Sequence, residues 1–428
     1  MYLIKKYNLD NFFFLNFLIA IIPLSIILGN MAININVILI CFIGLFTFKK
    51  KVFLIEDKIY QILIWSFFLY LIIITFVNNL PLFSDNTLYK SNFLKSIFYI
   101  RFLLLFLIIT KLIETNNFKL NYFFISSAFF SSLLALDIII QVIFGTDLIG
   151  NKIYISKPSG FFGTENIAGG YLQKFILFFI FLIALRIKKN KNLFILILFI
   201  LFFIPIILTG NRMPALIYFF IILIYFFFEK KFKELLYSLI ASILLVFFLL
   251  KFPLTERFEI QLKTFHKSSF EIITKAPQLF YYNNDETINY GTGYLVHFNT
   301  GVQIWKEKKI FGHGLKSFQL NCQFGGNYTC NTHPHNYFIE MLVDVGLFGV
   351  AIMYLLIFIG ISKFIKSYFY NFDIKNKLTL FPFFPILFFE FFPFRSTGSF
   401  FTTNNSVVIF LMLAIFLKYN NLINIYKK

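Results

Sequence analysis

Thr332-His333-Pro334-His335-Asn336 runs straight into an apolar stretch that ends at Gly346-Leu347-Phe348-Gly349. Nine residues separate Asn336 from Gly346, and two separate Gly346 from Gly349. At about 3.6 residues per turn, positions eleven apart lie roughly three turns apart on nearly one face. A helix over 336–361 therefore places His335 at its mouth, above a stripe that contains Gly346. Small residues on such a stripe let a neighbouring membrane helix approach closely. A titratable head on a tightly packed membrane helix is an arrangement suited to catalysis.

The rest of the chain supplies the membrane helices. Of its 428 residues 59% are hydrophobic and only 14% charged, and its apolar runs have spanning length, which excludes an ordinary soluble domain. The first run, about 12–28, follows Lys5 and Lys6. No small-residue cleavage site follows it and a second run begins near Met31, so it is expected to be a retained helix rather than a signal peptide. Further spans are expected at 31–48, 59–77, 94–112, 122–144, 166–186, 193–209, 213–228, 235–250, 336–361, 378–394 and 406–418, twelve helices in all. The fold class is thus an all-α polytopic membrane protein: residues 1–250 carry nine helices, 251–335 form one large loop with short helices of its own, and 336–428 carry three more. Lys49 to Lys51, Lys188 with Lys189 and Lys191, Lys230 with Lys231 and Lys233, Lys363 with Lys366, and Lys427 with Lys428 then all fall on one side. By the positive-inside rule that side is the cytoplasm, and both termini share it. The net charge of +19 is accounted for by these topology signals, and no basic face interleaved with exposed aromatics points to nucleic acid.

The opposite side receives loops near 78–93 and 145–165, the turn Gly210-Asn211-Arg212, the segment 251–335 and the turn Arg395-Ser396-Thr397-Gly398-Ser399. All five histidines, His266, His297, His313, His333 and His335, lie in the large segment, a concentration that favours a working surface there. A short helix is expected near 297–308. Cys322 and Cys330 lie close together in the same segment; in an oxidising compartment they are expected to form a disulfide. The alternative, a zinc site that adds His313, His333 and His335, matches no standard ligand spacing.

His335-Asn336, nine residues, then Gly-x-x-Gly resembles the motif of the O-antigen ligase and O-antigen polymerase superfamily, integral membrane glycosyltransferases that move a glycan from an undecaprenyl-diphosphate carrier. Gly312-His313-Gly314, Phe318, Cys322 and Cys330 resemble the family's run before its histidine. The resemblance implies a GT-C-like fold in the bacterial inner membrane, a periplasmic active site, no cofactor and no divalent metal. It also implies two partners besides membrane lipids: a carrier-linked glycan and, for a ligase, a lipid A-core acceptor. The related polymerase reaction is the first alternative. A transporter or flippase of lipid-linked sugars is the second, and it would place its working charges within the helices, as Arg101 and Asp137 suggest.

The implied reaction needs a group to take a proton from a sugar hydroxyl and cations to hold a departing diphosphate. Imidazole suits the first task because its pKa lies near the working pH, and His335 is the candidate base. His333 and Asn336 are candidate substrate contacts, or simply caps of the helix. Guanidinium suits the second task because it meets phosphate oxygens bidentately. Arg212 is similar in setting to a family arginine that binds the carrier's diphosphate; Arg395 and Arg257 are further candidates. Many family members carry another arginine upstream of the Gly-x-Gly turn, where this chain has none, and His297 or Lys316 is the candidate substitute. In Gly160-Phe161-Phe162-Gly163-Thr164-Glu165-Asn166, Glu165 is a candidate to orient an acceptor hydroxyl, while Thr164 or Asn166 is expected to cap the next helix. Arg101, inside an apolar run, needs a partner, and Asp137 is one candidate.

Overall fold

A computed structural model describes residues 10–80, 87–153, 157–251, 293–324 and 331–425. Arg257, His266 and Cys330 lie outside the described residues. The helices are α1 (Asn11–Ala20), α2 (Ile22–Ile27), α3 (Asn30–Phe48), α4 (Lys58–Asn79), α5 (Thr87–Phe98), α6 (Ile100–Glu114), α7 (Leu120–Phe144), α8 (Ala168–Arg186), α9 (Lys191–Leu208), α10 (Arg212–Phe228) and α11 (Phe232–Lys251). They continue with α12 (Gly293–Glu307), α13 (Ser317–Phe324), α14 (Tyr337–Tyr370), α15 (Ile374–Leu380), α16 (Phe383–Glu390) and α17 (Thr403–Ile425). The protein is an all-α polytopic membrane protein. Among the described residues, seven segments are long and apolar enough to cross a membrane: Asn30–Phe53, Lys58–Asn79, Lys90–Glu114, Leu120–Phe144, Ala168–Arg186, Lys191–Leu208 and Tyr337–Tyr370.

Proline explains two departures from the expected spans. The first run breaks at Ile21 because Pro23 belongs in the first turn of a new helix, where its missing N–H costs nothing. The run expected at 378–394 divides into α15 and α16 around Pro382, whose ring disfavours helix in the residue before it.

The chain divides into two compact units. One comprises Met1–Asn36, Lys119–His266 and Phe372–Ile386. In it α7 packs along α8, and α9, α10 and α11 continue the bundle. Its interior is aromatic: Phe178 meets Phe123 and Phe383 edge-on at 5.0 and 5.1 Å. Such pairs contribute about 0.5–1.5 kcal/mol each beyond burial, which matters where lipid removes the hydrophobic drive for helix association. The other unit comprises Val37–Phe118, Lys267–Asn371 and Leu387–Lys428. There α17 packs on α6 and α14 on α4. Phe42 and Phe46, one helical turn apart, are each 70% exposed, as lipid-facing side chains should be. Buried Lys418 is neutralised by Glu56 at 2.6 Å and Glu114 at 3.0 Å.

Arg101 and Asp137 belong to different units. Arg101 donates to Phe98 O (3.0 Å) and Thr403 Oγ1 (3.3 Å), and Asp137 Oδ1 accepts from Leu148 N (2.8 Å). Each side chain has local polar partners, while Arg101 Nε and Asp137 Oδ2 are buried without one among the described residues.

Candidate active site

In the second unit the chain around His335 is fixed by a helix start. Asn336, in extended conformation, caps α14, its Oδ1 accepting from Ile339 N at 2.9 Å. Its Nδ2 donates to Pro393 O (2.7 Å) and Arg395 O (2.9 Å). Only an amide offers the acceptor and both donors, which explains asparagine here. His335 therefore lies just outside the helix, not on its face. Its φ of 58° is left-handed, a conformation that is strained for most side chains. Its carbonyl accepts from Thr397 N at 2.8 Å.

The helix is also not continuous through Gly346, where φ 62° and ψ −172° break it. No stripe runs down to that glycine. Instead the break releases backbone groups that the Gly-x-Gly turn takes up. His313 N donates to Val343 O and Gly314 N to Asp344 O, both at 2.8 Å. Leu347 N donates to Lys309 O at 2.9 Å and Phe348 N to Ile310 O at 3.1 Å. A Cβ on Gly312 would lie 2.5 Å from Gly346 N, so the two backbones meet where side chains cannot fit. The close helix approach falls at Gly349, where a Cβ would meet Tyr70 of α4 at 3.1 Å.

Two buried carboxylates hold the flanking segments. Glu340 accepts from Ser399 Oγ and Phe400 N, both at 2.5 Å. Asp344 accepts from Lys316 N (2.7 Å), Ser317 N (3.0 Å) and Ser317 Oγ (2.8 Å), capping α13. Arg395 is buried; it donates to Phe389 O (2.9 Å) and Thr397 Oγ1 (3.1 Å) and pairs with Glu390 at 3.2 Å. Its guanidinium is engaged in holding this turn.

Three imidazoles gather in this setting. The His335 ring lies 4.2 Å from His333 and 5.4 Å from His297, with Tyr294 edge-on at 5.5 Å. Tyr294 and His297 sit one turn apart on α12. His335 Nε2 is 2.9 Å from Asn331 Nδ2, and His333 Nδ1 is 2.8 Å from Thr332 Oγ1, while His333 Nε2 is buried without a partner among the described residues. Burial first, and then the neighbouring His297, lowers the pKa of His335. Burial, followed by His335, His297 and Lys316, lowers that of His333 to about 4. Both rings are therefore neutral at neutral pH, with lone pairs able to accept a proton. His313 is a structural histidine: it is buried, and its Nε2 donates to Ile304 O at 2.9 Å. Cys322 is buried and disulfide-bonded.

The first unit holds Arg212 and Glu165. Arg212 opens α10 after Gly210, whose φ is 66°. With its amide oriented to satisfy its neighbours, Asn211 donates to Asn166 O (3.0 Å) and accepts from Thr209 Oγ1 (3.2 Å) and Gly169 N (3.3 Å). A Cβ on Gly169 would lie 2.6 Å from Thr209 Oγ1, so glycine lets the two turns join. Gln141 Oε1 accepts from Ser159 N (3.0 Å) and Gly160 N (2.9 Å), tying the turn that carries exposed Glu165 to α7. Neither Thr164 nor Asn166 caps α8; the cap position is Ile167, with no side-chain hydrogen bond. Lys157 is half-buried near Arg212; burial first, then the Arg212 charge, lowers its pKa. Two cations therefore share this neighbourhood, and sequence reasoning passed over Lys157 because nothing marks it among so many lysines.

Residues 196–354 match the family model described as O-antigen ligase. The matched segment belongs to the O-antigen ligase superfamily. It contains Arg212, His297, Lys316, His333, His335 and Asn336, together with the Gly346 break and the Gly-x-Gly turn that fills it. The chain is a multi-pass membrane protein, and the match supports a membrane glycosyltransferase of the O-antigen ligase and polymerase type. No curated protein matches the chain.

Proposed function

We propose that the protein is an O-antigen ligase-like enzyme that moves a glycan from undecaprenyl diphosphate to a sugar of lipid A-core. The reaction takes place at the periplasmic face of the inner membrane, with both termini cytoplasmic. His335 is the base. As the acceptor oxygen attacks the anomeric carbon, its proton passes to the imidazole and the bond from that carbon to the phosphate oxygen breaks. The diphosphate leaves on its lipid. General-base help of this kind contributes about 10²–10⁴-fold. His297, His333 and Asn336 line or hold the base, and Arg212 with Lys157 binds the diphosphate, with Lys316 as a further donor. Arg395 acts through the turn it holds. Arg257 is retained as a candidate phosphate ligand and the Cys322–Cys330 pair as a candidate disulfide, while Glu165 is a candidate to orient the acceptor.

The observation that carries this reading is the neutral, half-buried imidazole of His335, held at a helix start among His297, His333 and Tyr294. Glu340 and Asp344 are spent on N–H and O–H donors of adjoining segments, so transfer is expected to survive chelator. The test is a strain deleted for the gene. Free lipid A-core with long polymer left on the carrier supports the ligase; products carrying a single repeat would move the assignment to polymerase.

A further inference from the structure

We infer that Asn331 is the positioning residue of His335: its side-chain amide fixes the ring so that Nε2 carries the lone pair, and it holds that nitrogen in reserve for the acceptor hydroxyl. The inference rests on the reading of His335 as the base.

The argument begins with the amide's orientation. Asn331 Oδ1 accepts from Thr332 N at 2.7 Å and lies 3.4 Å from Thr332 Oγ1, so the oxygen end is assigned by a backbone donor that cannot be reversed. The other end, Nδ2, is then an N–H donor, and it stands 2.9 Å from His335 Nε2. Two N–H groups cannot face each other at that distance. Nε2 must be the acceptor, and the ring proton of the neutral imidazole sits on Nδ1. The groups facing the ring are His297 and Tyr294 from α12, His333 from its own segment and the Thr397 backbone, whose hydrogen bond favours the charged ring, with Lys316 acting on His333. None of them supplies a carboxylate that would hold a charged imidazolium instead.

An imidazole nitrogen has one lone pair in the ring plane. When a sugar hydroxyl donates to Nε2, the Asn331 amide must give up its place. In the substrate-free protein the amide thus occupies the position of the reacting hydroxyl, and it keeps the ring in the tautomer that the hydroxyl needs. Proton transfer from that hydroxyl to Nε2 then completes the imidazolium, with Nδ1–H already in place.

The full-length chain, labelled with ¹⁵N-histidine and purified in lipid nanodiscs, tests this in two ways. The His335 resonances, assigned by their loss in His335→Asn, should show Nε2 unprotonated and Nδ1 protonated at neutral pH. An Nε2–H tautomer would overturn the inference. The second readout is the titration of His335 beside the pH dependence of transfer from carrier-linked glycan to lipid A-core. Asn331→Ala removes a donor that prefers the neutral ring, and Asn331→Asp places a carboxylate that prefers the charged one. The titration midpoint should rise from wild type to Ala to Asp, with the acid limb of transfer following it. The Asp variant should lose about tenfold in rate at neutral pH for each unit by which its midpoint passes neutrality and recover it in alkali. A purely structural role would lower the rates of both variants without moving the limb, and that result would contradict the inference. If His335→Asn transferred normally, the base reading would fail, while the tautomer measurement would still decide the Asn331 contact.

Discussion

The two units offer opposite kinds of polar neighbourhood. Around His335 the charged side chains are consumed: Glu340 and Asp344 by the N–H and O–H groups of adjoining segments, and Arg395 by Glu390. What remains is a set of neutral rings whose basicity is lowered by burial. Around Arg212 the setting is cationic. A second cation, Lys157, lies close enough for the two charges to oppose each other, and Arg212 opens a helix whose own dipole is positive at that end. On the proposed reading, one region accepts a proton and the other attracts an anion. The division matches the two demands of glycan transfer from a diphosphate.

Substitutions that break one region and spare the other should separate these demands. The largest effect is expected from His335→Asn. Asparagine tolerates the left-handed backbone at this position but is not a base, so folded protein should lose about 10²–10⁴ in transfer rate with carrier-glycan affinity little changed. Rate and affinity measured on one preparation check this. Gly346→Ala should come next. The φ/ψ region at Gly346 costs other residues about 1–3 kcal/mol, and the new Cβ meets Ile310 O. Thermal unfolding in detergent should show a lower midpoint, and transfer should fall with it. Arg212→Ala should weaken carrier binding more than Lys157→Ala, because a guanidinium grips phosphate with paired donors; titration calorimetry with undecaprenyl diphosphate ranks them. If either variant lowered the rate at saturating carrier as much as His335→Asn, the contrast between the regions would not hold.

The smallest expected effect is on stability. His333 has a folded pKa near 4, below the ordinary histidine value of about 6.5. The folded state therefore binds fewer protons than the unfolded state between those values. Its contribution is fully present above about pH 6.5 and declines as pH falls towards 4. His333→Gln should flatten the loss of thermal stability across that window, as read from unfolding midpoints at several pH values.

The membrane fold was legible because lipid demands long apolar helices, and composition alone declares them. The histidine proposed as the base was legible through the spacing of His335-Asn336 to Gly346. The reason for that spacing was not. A continuous helix with a small-residue stripe and a helix broken to receive a Gly-x-Gly turn share one sequence pattern, and only the backbone angles of Gly346 distinguish them. Asn336 was readable as a cap, but its two donated bonds to Pro393 and Arg395 join positions more than fifty residues on, beyond any local signal. Arg395 read only as a candidate cation at a polar turn; its burial against Glu390 depends on folding of the turn itself. Asn331 and Lys157 carry no motif at all, and their roles come from what the fold brings beside them.

The central claim, that a neutral His335 imidazole takes the acceptor's proton, is tested most directly by the pH dependence of transfer at saturating carrier-linked glycan. The account predicts a rate that is level near neutrality, falls with unit slope on the acid side as His335 takes up a proton, and loses that limb in the residual activity of His335→Asn. An acid limb of the same midpoint in both proteins would contradict it.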